Sequence, residues 1–204
     1  MRLVVGISGA SGAIYGIRML GVLKDLRIET HLILTRVARE NIKLETDYKL
    51  TDVEGLATET HDVSDMASKL ASGSFRTNGM VVIPCSMKTL SGIASGYSEN
   101  LLLRAADVSI KERRPLVLVI REAPLSLIHI ENMAAAARAG AVILPAMPAF
   151  YHRPKTLDEV IDQLVGKVLD TLGVEHNLYR GWEGASGRKR SYSTPSRSQA
   201  NSCP

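Results

Sequence analysis

Five short runs of consecutive apolar, largely β-branched residues recur along the chain, at 3–7, 30–34, 80–84, 116–120 and 141–144. Unbroken apolar character, rather than strict alternation, is what a parallel strand shows when both faces of its sheet are covered. Helical patterns lie between the runs. Residues 13–26 carry Ile14, Ile17, Leu20 and Leu23 on one side, and 157–172 repeat Leu157, Ile161, Leu164, Val168 and Leu172. A third pattern, 100–113, follows the turn-like Gly96-Tyr97-Ser98-Glu99. Strand and helix alternating in this way predict a single α/β domain with a doubly wound, mostly parallel sheet. None of the apolar runs approaches the roughly 18 residues needed to cross a bilayer, so no membrane span is expected.

Charge divides the chain in two. It carries 25 basic and 21 acidic side chains, and the excess sits in the last segment. Arg188, Lys189, Arg190 and Arg197 fall in 184–204 with no acid among them, so residues 1–183 are balanced. Residues 1–183 are therefore predicted to form the folded domain and 184–204, rich in Ser and Gly, a flexible basic tail. With no basic stripe in the folded part, nucleic acid is not an expected partner. Cys85 ends an apolar run and Cys203 lies beside the C-terminus, which argues against a structural disulfide. Glycines at 6, 9 and 12 interrupt the first apolar run, so no export signal is read and a cytoplasmic protein is expected.

In open α/β sheets ligands bind beyond the carboxyl ends of the strands. After the first strand comes Gly6-Ile7-Ser8-Gly9-Ala10-Ser11-Gly12-Ala13, small residues leading straight into a helix. Such a loop lets backbone approach an anion, and the helix N-terminus is expected to offer free N–H groups to it. The spacing is neither the dinucleotide fingerprint nor the P-loop. After the third run, Ser86, Lys88 and Thr89 offer three donors suited to a phosphate or a flavin edge. Cys85 beside them reads as a small buried hydrophobe rather than a nucleophile. The fourth run leads into Arg121-Glu122, a cation for an anionic ligand and a carboxyl whose burial would suit it to general acid work. The fifth leads into a loop stiffened by Pro145, Pro148 and Pro154, which ends in Tyr151, His152 and Arg153. No His, Cys and Asp residues fall at metal-ligand spacing, so no metal site is expected. Asp62 and Asp65 read as a helix N-terminal cap and surface turn.

Taken together, these segments resemble the UbiX-type flavin prenyltransferases, relatives of the flavin-dependent cysteine decarboxylases. The matching text is GISGASGAIYG at 6–16, KLETD at 43–47, PCSMKTLSGIASGYSENLLLRAADV at 84–108, KERRPLVLVIRE at 111–122 and GAVILPAMPAFYHRP at 140–154. The resemblance covers about residues 1–182. Related decarboxylases carry Pro-Ala-Met-Asn, whereas Met147 here precedes Pro148, which favours the prenyltransferase branch.

This resemblance implies a flavodoxin-like Rossmann fold assembled as a homododecamer. The implied reaction joins the dimethylallyl group of dimethylallyl monophosphate to N5 and C6 of reduced FMN. Its product, prenylated FMN, would serve UbiD-type decarboxylases in ubiquinone or aromatic-acid metabolism. By the same resemblance, FMN would be held by Gly9, Ala10, Ser11, Thr35, Ser86, Met87, Lys88, Thr89 and Arg121. Lys111, Arg121, Tyr151 and Lys167 would meet the prenyl phosphate, some of them from neighbouring subunits. Glu122 would protonate the leaving group, Glu45 and Ser11 would assist proton transfers at the flavin, and Trp182 would close the pocket. Two departures stand out: Ala123 and Ser126 replace the usual Thr and His after Glu122, and Lys167 stands where many members have Arg. A decarboxylase using unmodified FMN and a non-catalytic flavin carrier are alternatives on the same fold.

Overall fold

The computed structural model describes residues 1–182 and residue 184. The tail expectation, including Cys203, therefore lies almost wholly outside the described residues. Six strands form one sheet: β1 (Arg2–Ile7), β2 (Glu29–Leu34), β3 (Glu59–His61), β4 (Gly79–Cys85), β5 (Leu116–Ile120) and β6 (Val142–Pro145). Their spatial order is β3-β2-β1-β4-β5-β6 and every pairing is parallel. Chain order reverses between β1 and β4, so the topological switch point lies there.

Alternate side chains of the buried strands enter two cores. Leu3, Val5 and Ile7 pack beneath α1 (Ala13–Asp25), α2 (Arg36–Glu45) and α7 (Leu157–Thr171). Val4, Met80 and Val82 pack on the other face with α4 (Met87–Ser95), α5 (Leu101–Lys111) and Ala136 of α6 (Leu127–Arg138). A short α3 (Leu50–Glu54) and a single 3₁₀ turn (Lys69–Ala71) complete the described elements. All five predicted strands and three predicted helices are present within a residue or two.

One sequence reading is corrected here. No helix starts at the Asp62–Asp65 segment. Asp62 instead accepts from the backbone N–H and the hydroxyl of Ser64, a local turn after β3. The sequence shows no grouping of metal-ligating residue types, but β2 and β3 bring His31, Glu59 and His61 within 4.8 Å of one another. Parallel pairing achieves what spacing along the chain did not.

Candidate active site

At the switch point the chain ends of β1 and β4 are stitched by one buried hydroxyl. Ser8 Oγ donates to the Pro84 carbonyl at 2.9 Å and accepts from the Ser86 N–H at 2.8 Å. Beside this stitch opens a cavity of about 480 Å³, lined by Gly9, Thr35, Ser86, Lys88, Thr89 and Asn100 among others. Three of these residues cap helices. Thr35 accepts from Ala38 N–H at the start of α2, Ser86 from Thr89 N–H at the start of α4, and Asn100 from Leu103 N–H at the start of α5. Three helix N-termini thus converge on one space and turn their positive dipole ends toward it, an arrangement that favours an anion.

Gly9 forms part of the wall by lacking a side chain. A Cβ there would lie 2.7 Å from Cβ and Cγ1 of Val37, so the loop and α2 sit closer than any larger residue allows. Replacing Gly9 by Ala is expected to displace Val37 into the cavity and weaken binding of the FMN that the resemblance implies about tenfold. Flavin fluorescence titration checks this; unchanged affinity would show that the wall yields freely.

The helix α1 departs from expectation. Its first N–H groups are not free: Glu45, from the end of α2, accepts from Gly12 N–H at 2.7 Å and Ala13 N–H at 3.1 Å. The anion that this N-terminus attracts is a side chain of the same protein. Gly12 makes the approach possible with φ 96°, a left-handed conformation costly for residues with a Cβ. Ser11 is exposed at the same lip and Ala10 is buried, its carbonyl accepting from Asn41.

The remaining predicted residues separate into those the fold gathers and those it keeps apart. Thr89 is buried beside Ser86, which donates to its hydroxyl at 3.1 Å, while Lys88 projects outward with Glu99 3.5 Å away. The Met87 side chain packs in the core, which leaves its backbone at the start of α4 to face a ligand. Cys85 is fully buried and desolvation pushes its thiol pKa up to about 12, which removes it as a nucleophile as expected.

Arg121 follows β5, its N–H donating to the Cys85 carbonyl at 3.2 Å. Glu122 is exposed and accepts from its neighbour Ala123 N–H at 3.1 Å. The burial that its general-acid reading needs is thus not provided by its own chain. Ser126 accepts from the His129 N–H and His129 Nδ1 accepts from Ser126 N–H, a capping box that starts α6. The serine that departs from the family pattern therefore has a clear structural task.

Lys111 ends α5 and pairs with Glu112. Since α5 starts at the carboxyl side and runs back to β5, this places Lys111 toward the amino ends of the strands. Lys167 lies late on α7, 3.9 Å from Asp170, on a helix that likewise runs back. Neither is gathered to the cavity within one chain. Tyr151, in the loop after β6, meets Trp182 edge to face with ring centroids 5.8 Å apart. Tyr179 donates to Asp170, and burial together with that carboxylate raises its pKa well above the usual phenol range. Arg36, Val63, Ser64, Glu99 and Leu103 also line the cavity and were missed by sequence reasoning. Only Glu99, beside the turn before α5, carried a signal that could have found it.

Comparison with known proteins agrees with this architecture. The sequence profile of the Flavoprotein family matches residues 1–171. Flavin prenyltransferase UbiX of Escherichia coli K12 is 57% identical over 187 residues, covering 90% of this chain and 99% of that protein. The chain belongs to the UbiX-type flavin prenyltransferases. Two solved structures of this family superimpose closely. The dodecameric FMN-dependent UbiX-like decarboxylase from E. coli O157:H7 gives a TM-score of 0.88 at 51% identity, covering 90% of this chain and 100% of that one. AnUbiX in complex with FMN and dimethylallyl pyrophosphate also gives 0.88, at 49% identity and 90% and 97% coverage. Family membership makes this chain a flavoprotein enzyme of the prenyl-transferring class. Among the described residues no helix is long and apolar enough to cross a membrane.

Proposed function

We propose that this chain transfers the dimethylallyl group of dimethylallyl monophosphate to N5 and C6 of reduced FMN, releasing prenylated FMN for a UbiD-type decarboxylase. The observation that carries the reading is the convergence of three capped helix N-termini on one cavity at the β1/β4 switch point. Its volume lies within the range of about 300–1,000 Å³ common for bound small molecules. Gly9, Ala10 and Ser11 would line the flavin from the β1 loop. Thr35, Ser86, Lys88 and Thr89 would present hydroxyl and ammonium donors to its polar edge and phosphate, with Met87 contributing backbone and Arg121 a cation. Reduced FMN supplies the nucleophilic ring atoms and a π face for the allylic fragment.

The chain's own residues then have to part a phosphate from carbon. Lys111, Arg121, Tyr151 and Lys167 would hold the leaving phosphate and stabilise its growing charge in a site closed to water. Lys167 serves as a point charge rather than a bidentate clamp. Glu122 would hand the leaving group its proton, and Glu45 with Ser11, side by side at the first turn of α1, would move protons near the flavin. Trp182 against Tyr151 would cover the prenyl end. Prenyl transfer from diphosphates with metals relies on paired acidic motifs; the sequence carries none, so a metal-independent reaction of the monophosphate fits better.

Assembly is part of this reading. Leu127, Ile128 and Ile130 of α6, with Phe150 and Leu157, are large apolar side chains left exposed in the single chain. A homododecamer would cover them, bury Glu122, and let Lys111 and Lys167 of one subunit reach the phosphate of another.

Anaerobic incubation with reduced FMN and dimethylallyl monophosphate, followed by mass spectrometry of the extracted flavin, tests the proposal. One added dimethylallyl unit is the expected result. Bound but unchanged FMN would overturn it and leave a decarboxylase or a flavin carrier; running the diphosphate in parallel decides which prenyl donor is used.

A further inference from the structure

The sheet edge formed by β2 and β3 carries a cluster for which prenyl transfer has no use. Parallel register pairs His31 with Glu59 and Ile33 with His61, so His31, Glu59 and His61 all emerge on the same face. His31 and His61 are nearly inaccessible, at 1% and 7% exposure. His31 Nδ1 lies 3.0 Å from His61 Nε2. Glu59 brings one carboxylate oxygen to 3.6 Å from His31 Nδ1 and the other to 3.7 Å from His61 Nε2.

The outward nitrogens of both rings are also held. His31 Nε2 lies 3.0 Å from the Glu29 carboxylate, which can only accept, so that nitrogen carries the hydrogen and Nδ1 turns a lone pair inward. Without an ion, His61 Nε2 donates to that lone pair; a bound ion would move this hydrogen to Nδ1, where Ser68 Oγ lies 3.0 Å away and can accept it. A carboxylate or hydroxyl behind each imidazole is the outer support that metal-bound histidines commonly have. Phe75 packs edge-on against His31, centroids 5.2 Å apart, and keeps the ring from turning.

We propose that His31, His61 and Glu59 form a binding site for a zinc-class divalent transition-metal ion, bracing the edge strand β3 against β2. Zinc bonds of about 2.0–2.1 Å in tetrahedral geometry set neighbouring ligand atoms roughly 3.3 Å apart; the two ring nitrogens stand 3.0 Å apart, and a small turn of the exposed Glu59 carboxylate would bring one oxygen to both. Two imidazoles and a carboxylate match the preferences of zinc, and of cobalt as its spectroscopic substitute. Solvent would complete the shell on the side of Glu59, whose side chain is 45% exposed. The ion's rival is Lys69, whose ammonium pairs with Glu59, while Arg2 neutralises Glu29 at 2.7 Å. Lys69 is itself 40% exposed and can swing away. Val63 and Ser64, just past His61, line the flavin cavity, so the ion would stiffen one of its walls.

The test uses the untagged full-length chain, stripped with a chelator and titrated calorimetrically with Zn²⁺, alongside absorption spectra with Co²⁺. One ion per chain and the intense visible bands of tetrahedral Co²⁺ are expected. Glu59→Gln, at the exposed edge where folding is spared, should weaken Zn²⁺ at least tenfold. Lys69→Gln, which removes the rival cation, should tighten it several-fold. Wild-type binding no tighter than that of Glu59→Gln, or weak octahedral Co²⁺ bands, would overturn the proposal and leave a hydrogen-bonded histidine pair. Calorimetry reads this site without reference to flavin or prenyl transfer, so the two proposals stand or fall separately.

Discussion

Replacing Glu122 by Gln is expected to slow prenyl transfer by about 10²–10⁴-fold while leaving FMN affinity unchanged. Glutamine keeps the size of the side chain and an oxygen to accept from Ala123 N–H, as the carboxylate does. What it lacks is the proton for the departing phosphate. The charge-stabilising cations remain, so residual turnover should persist rather than vanish. Single-turnover rates measured beside flavin titrations separate the two roles. If FMN binding falls as far as the rate, Glu122 is structural and the leaving group takes its proton elsewhere.

Two glycines in α1 should respond to alanine with opposite signs. In a helix interior Gly costs about 1 kcal/mol relative to Ala, so the bare propensity term favours replacement at both. At Gly21 nothing lies within 4 Å of the new Cβ, and Gly21→Ala is expected to stabilise by up to about 1 kcal/mol. At Gly16 the Cβ would lie 2.5 Å from the Ile83 carbonyl oxygen and 2.6 Å from Ile7 Cδ1. The first neighbour is strand backbone beside the β1/β4 switch point and cannot turn aside. Overpacking of this kind costs about 1–3 kcal/mol, which outweighs the propensity gain. Gly16→Ala should therefore lower Tm by a few degrees and loosen flavin binding, while Gly21→Ala leaves binding alone. Thermal melts of both variants decide this; a raised Tm for Gly16→Ala would show that α1 shifts outward at little cost.

The elements that were legible in the sequence are those with a strong local period. Leu116–Ile120 is five apolar residues in a row and fully buried, and α7 repeats its apolar positions over four turns. Those that were missed have weak or misleading periods. β3 is only Glu-Thr-His at a sheet edge, too short to show a period. α2 buries only Ala38 and Ile42. α6 buries only Ala136 and leaves Leu127, Ile128 and Ile130 exposed, so no inward apolar stripe marks it in the sequence. α4 is built from small residues that resemble a loop. Yet a Cβ on Gly92 would lie 2.9 Å from Leu103, so smallness there lets α4 and α5 pack closely.

By itself the sequence determined a parallel sheet covered on both faces, small residues at the end of β1, and donors and a buried thiol at the end of β4. These follow from periodicity and turn chemistry, which act over a few residues and can be read without knowing the rest. Only the tertiary structure decided which strand ends lie side by side. It set the reversal between β1 and β4, and it brought the caps Thr35, Ser86 and Asn100 to one cavity. It also laid Glu45 across the start of α1, some thirty residues away, and drew His31, Glu59 and His61 together from two strands. The physical reason is that strand order and register are chosen by packing of the whole chain. Neither leaves a local trace at the residues it makes neighbours.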